Sequence, residues 1–177
     1  MIDNGGSVSA PTASMHEPND SFVQPSRQHP AHLPPRIQGN RSTIIFLTVC
    51  TKGRRPCLAN PELHQCLVTA WSDATHWQVG RYVIMPDHIH LFCAPGQFSP
   101  TPLGSWIRFW KTAVSKSIKA SAGTLWQADH WDTQLRQHES NDAKWEYVRQ
   151  NPVRAGLANH PDEWPFQGEL NLLRWHD

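Results

Sequence analysis

The chain has 177 residues, with 16 Lys and Arg against 15 Asp and Glu and a net charge of +1. That length suits one domain, and so balanced a charge does not by itself mark a nucleic-acid binder. No stretch reaches the ~20 apolar residues of a membrane span or shows the pattern of a secretory signal. The four cysteines form no C-x-x-C pair, which argues against a zinc ribbon, a thioredoxin-like site or a disulfide framework.

Met1 to Asn40 holds six prolines and only scattered apolar residues. Such a segment cannot bury enough surface to offset the entropy of ordering, so 1–40 is expected to be a disordered tail and 41–177 the folded domain. Charge is uneven within the domain. Arg41–Ala120 carries nine basic against three acidic residues, and Ser121–Asp177 five against nine. A basic half permits a phosphate-binding face.

The run from Ser42 to Cys50 is β-branched and aromatic and predicts a buried strand, followed by the basic loop Thr51–Pro56. Asn60-Pro61 then reads as an N-cap with proline at the first helical position. Leu63, Cys66, Leu67, Ala70, Trp71 and Ala74 fall on one face of a helix expected to end near Trp77. Gln78–Met85 and His88–Ala94 predict two strands joined by the tight turn Pro86-Asp87.

Pro100–Ala120 predicts an amphipathic helix. Leu103, Trp106, Ile107, Trp110, Val114 and Ile118 lie on one side, with Arg108, Lys111, Lys116 and Lys119 on the other. A fourth strand falls in Thr124–Gln127 or Thr133–Arg136. Ser140 or Asn141 would cap a last helix that stops near Gln150, ahead of Pro152. The order strand, helix, strand, strand, helix, strand, helix predicts an α+β fold: a ferredoxin-like sandwich with helices on one face of an antiparallel sheet.

Two constellations carry chemistry. His88 and His90, two apart on a strand, project from the same face and can reach one metal ion, while Ile89 points into the core. Asp87 could orient a ligand from behind. Tyr147 and Asn151 stand four apart on the last helix, and so on one face of it. A tyrosine and a carboxamide beside a metal make a workable phosphoryl-transfer site, provided a cation or base favours the phenolate. Read without context, the histidines are a pair of half-exposed strand residues and Tyr147 is a surface tyrosine.

Three blocks, Phe46–Arg55, Tyr82–Leu91 and Tyr147–Leu157, together with Trp164-Pro-Phe166, resemble the REP-associated tyrosine transposases. These belong to the HUH single-tyrosine transposases, named for a His-hydrophobic-His motif. The resemblance spans about Ser42 to Phe166. It implies an enzyme that cleaves single-stranded DNA at the foot of an imperfect hairpin, leaving a 5′-phosphotyrosine and a free 3′-OH, and rejoins strands by the reverse step. It also implies Tyr147 as nucleophile, His88, His90 and Asn151 around Mg²⁺ or Mn²⁺, and a monomer or homodimer at the prokaryotic nucleoid in the cytoplasm.

On that resemblance, Lys52, Arg54, Arg55, Arg108, Lys111, Lys116, Lys119 and Arg154 are expected to contact DNA phosphates. Trp126 or Trp131 could stack a base, with core packing the favoured reading. One departure stands out. Many relatives carry Asp-His after an aromatic residue before the last helix, whereas here Trp131-Asp132 is followed by Thr133.

Two other readings compete. A small-molecule metal hydrolase would leave Tyr147 and Asn151 without a role, and its barrel versions need about 250 residues. A non-catalytic nucleic-acid module would show RNP-type stacking aromatics, which no strand carries, although a domesticated hairpin-binding relative stays compatible with the sequence.

Overall fold

In a computed structural model the described residues are 43–119, 122–135 and 138–173. The expected tail lies outside them. Five strands form one antiparallel sheet in the order β4-β1-β3-β2-β5: β1 Ile44–Cys50, β2 Trp77–Ile84, β3 His88–Pro95, β4 Trp131–Leu135 and β5 Gln167–Glu169. The helices are α1 Pro61–Asp73, α2 Leu103–Ser117, α3 Ala122–Leu125, α4 His138–Arg149 and α5 Asn151–Arg154. The first four strands with α1 and α2 make the ferredoxin-like pattern expected from the sequence, with β5 added beside β2.

Local signals account for most element ends. The Asn60 side chain accepts from the Leu63 amide at 2.9 Å, capping α1 as Asn-Pro predicts. That helix stops at Asp73, earlier than expected, because Trp77 starts β2 and buries its ring against Trp106. The fourth strand settles at Trp131–Leu135, while the other candidate region forms the short α3 and a single bridge from Trp126 to Thr51. α4 begins at His138, ahead of the expected cap, and Asn151-Pro152 opens α5.

Alternation along β3 splits its side chains between two cores. Ile89, Leu91 and Cys93 join α1 and α2 in the larger one, with Leu67, Trp71 and Trp110. Phe92 lies in a smaller core on the other face with Phe46, Val83, Leu135, Val148 of α4 and Trp164. α1 and α2 thus cover one face as predicted, and α4 lies on the other. His88 and His90 alternate with Ile89 and therefore project on the α4 side. The closing segment seals that side: Trp164 donates from Nε1 to the Ile84 carbonyl at 3.0 Å. Gly168 passes so close to Tyr82 that a Cβ there would sit 2.7 Å from the phenol oxygen. All four cysteines are free, and among the described residues no helix is long and apolar enough to cross a membrane.

Candidate DNA-processing site

His90 lies on the central strand, its register partners being Thr48 on β1 and Val83 on β2. Thr48 shares its face, so its hydroxyl meets His90 Nδ1 at 2.9 Å. The Asp87 carboxylate meets His88 Nδ1 at 2.6 Å. Both Nδ1 atoms thus have oxygen partners, and the two Nε2 atoms stand 3.1 Å apart. In the tautomer in which each Nδ1 donates, both Nε2 lone pairs are free for an ion. Two ligands at right angles, each about 2.1 Å from one ion, would stand about 3 Å apart, so the pair has the spacing of adjacent ligands.

Electrostatics keep the pair neutral. Burial lowers the pKa of His88 despite the Asp87 carboxylate, which accepts at Nδ1 and favours the charged form. Burial pushes His90 well below the ordinary histidine value, aided by His88, Lys144, Arg54 and Arg154. Neutral imidazole is the metal-binding form. Among the described residues no cluster of three His, Cys, Asp or Glu forms, so any ion here would need ligands of another kind.

Tyr147 is 48% exposed on α4. It connects to the histidines through aromatic and cationic neighbours. Phe46 stacks on His90 with centroids 5.4 Å apart, and Lys144 Nζ lies 4.7 Å from the Phe46 centroid and 5.9 Å from that of Tyr147. Arg154 covers the Tyr147 ring at 4.2 Å. The same guanidinium donates to the Tyr147 carbonyl at 2.6 Å and to Asn151 Oδ1. Asn151 opens the helix that follows α4, and Arg154 ties it to Tyr147, whereas the sequence reading placed both on one helix.

The eight basic residues expected on DNA divide. Lys52, Arg108, Lys116 and Lys119 are exposed. Arg54 is exposed as well but already paired, through Nε with Asp87 at 3.0 Å and through Nη1 with Cys50 Sγ at 2.8 Å. Arg55 donates to the Thr124 carbonyl, and Arg154 is held as described.

The plainest departure is Lys111, which is 7% exposed. It donates to the Gln127 carbonyl at 2.9 Å, and desolvation lowers its pKa to about 8. Helical periodicity assigned it to the solvent side. The 126–130 segment folds back over α2 and covers it. Lys52, Arg108 and Lys111, with Thr112 and Trp126, line a cavity of about 380 Å³.

Trp126 is core, edge-to-face with Trp110 at 5.7 Å. Trp131 is not: it stands 39% exposed on edge strand β4, opposite Thr48. His130, the histidine nearest the altered Asp-His pair, is buried between Asp129 and Asp132. The sequence reading missed Phe46, Thr48 and Lys144. Lys144 precedes Tyr147 by three residues, a same-face spacing that could have found it.

Sheet order, helix placement and the paired histidines define an α+β domain of ferredoxin-like type with a His-hydrophobic-His strand at its centre. The chain's likeness is to the REP-associated tyrosine transposases. It is 21% identical over 126 residues to the REP-associated tyrosine transposase of Escherichia coli K12, covering 68% of this chain and 73% of that one. The solved structure of a REP-associated tyrosine transposase bound to a REP hairpin superposes with a TM-score of 0.63 at 21% identity, covering 75% of this chain and 79% of that one. No family model matches the chain.

Proposed function

We propose that the chain is a REP-associated tyrosine transposase that cleaves and rejoins single-stranded DNA at hairpins, with Tyr147 as nucleophile. The observation that carries this reading is the pair of Nε2 atoms 3.1 Å apart, both Nδ1 atoms engaged, on the sheet face that α4 and Tyr147 share. A metal hydrolase acting on small molecules gives the exposed Tyr147, gripped by Arg154, nothing to do.

His88 and His90 would hold a divalent ion, Mg²⁺ or Mn²⁺, which when bound polarises the scissile phosphate. Asn151 would complete that set once Arg154 released its amide oxygen. The Tyr147 oxygen attacks phosphorus in line, forming a 5′-phosphotyrosine. The bond to the deoxyribose O3′ breaks, the phenolic proton leaves to solvent and the freed 3′ oxygen takes one up. Attack by another 3′-OH reverses the step and rejoins strands. The exposed Lys52, Arg108, Lys116 and Lys119 follow the DNA backbone.

The test is a denaturing gel with hairpin DNA labelled on the 3′ side of the cut. The label should migrate with the wild-type protein and not with Tyr147→Phe, which keeps the ring but loses the attacking oxygen. An adduct formed equally by Tyr147→Phe would refute the assignment.

A further inference from the structure

Among the described residues, the arginines around this face all have oxygen partners. Arg54 pairs with Asp87, Arg81 with Asp142 and Glu169, Arg149 with Glu146 and Asp162, and Arg154 with Asn151 and the Tyr147 carbonyl. Lys144 has none. Its ammonium rests on the Phe46 ring at 4.7 Å and near the Tyr147 ring at 5.9 Å, and no described carboxylate pairs with it. Its location is central, since Phe46 is the ring that stacks on His90.

A half-buried ammonium loses hydration that aromatic faces restore only in part. Burial accordingly lowers the Lys144 pKa, and its charge is felt at His90. A cation set against the Tyr147 ring and the Phe46 ring that stacks on His90, half-buried and with no described carboxylate partner, is matched electrostatically by an anion arriving from outside. The anion that must reach both neighbours is the DNA phosphate.

We propose that Lys144 is a phosphate-binding residue of this site, its ammonium holding a non-bridging oxygen of the linkage that Tyr147 attacks. The proposal rests on the transposase reading and deepens it. Lys144 keeps its proton throughout. Its task is to orient the phosphorus toward the phenol oxygen and to offset charge as the Tyr147–phosphorus bond forms and the bond to O3′ breaks.

The experiment pairs Lys144 with the charge it is said to hold. The probe is a synthetic DNA hairpin from inverted repeats flanking the gene, with its cleaved linkage mapped on the wild-type protein. A second version carries a neutral methylphosphonate at that linkage alone. Binding of both is measured in the Tyr147→Phe background, with Lys144 intact or changed to Met, at matched salt. Neutralising the linkage should weaken binding about tenfold when Lys144 is present, and hardly at all in Lys144→Met. With Tyr147 restored, Lys144→Met should slow adduct formation on the order of a hundredfold, and Lys144→Arg should recover most of it.

Equal losses on neutralisation with and without Lys144 would overturn the proposal while leaving the transposase reading intact. A wild-type protein that forms no adduct would overturn that reading and this proposal with it. Lys144 is half-buried against Phe46, and matching thermal unfolding of the variants would exclude a folding defect as the source of any loss.

Discussion

At the scale of single residues, the geometry assigns work to atoms the sequence leaves anonymous. Asp87 fixes the His88 ring by holding Nδ1, and Arg54 fixes Asp87 in turn. Asp87→Asn should lower affinity for Mn²⁺ by about ten- to a hundredfold, read by calorimetric titration of the metal. Arg54→Ala should do the same more weakly and leave the salt dependence of DNA binding nearly unchanged, because its charge is already paired with Asp87. A drop of one unit in that salt slope for Arg54→Ala would show it on phosphate instead. His88→Ala, His90→Ala or an excess of EDTA should each abolish the adduct while hairpin binding survives, as a gel-shift assay in the same buffer would show. Alternation along a strand reveals the histidine pair from sequence. Thr48 is silent there, because only the register of β1 on β3 brings residue 48 against residue 90.

At the scale of elements, periodicity locates strands and helices well but says little of what folds back over them. Leu63, Leu67, Ala70 and Trp71 face the core as the α1 pattern predicts. Lys111 obeys the same arithmetic and still ends up buried, because the segment after α3 crosses that side of α2. Lys111→Ala should therefore cost about 1–3 kcal/mol of stability, by leaving the Gln127 carbonyl unpaired, with no change in salt slope. Lys116→Ala should do the opposite, lowering the salt slope by about one with stability intact. Urea unfolding and binding titrations across a salt series separate the two. β5 escapes sequence reading because Gln167–Glu169 is three residues long and has no apolar alternation. α4 is amphipathic only weakly, and its seat on the second face depends on Trp145 against Phe92 and Val148 beside Trp164, contacts that join distant parts of the chain.

At the scale of the whole molecule, burial holds three histidines, His64, His88 and His90, below their ordinary pKa. Below about pH 6.5 the unfolded chain takes up protons at these positions that the folded metal-free chain refuses, so stability should fall as the pH drops through that range. Urea midpoints at pH 7.5, 6.5 and 5.5 would record the decline, and His90→Gln should flatten it. Bound metal should steepen the acid loss, since protons compete for the same nitrogens. The strand order has one more consequence. β3 is hydrogen-bonded on both sides, to β1 and β2, whereas α4 reaches the sheet through a few side chains. Backbone amides of β3 should therefore exchange with deuterated solvent only on global opening, hours after those of α4 have turned over. The protein would then keep its histidines on the slowest-breathing part of the molecule and its tyrosine on one of the quickest.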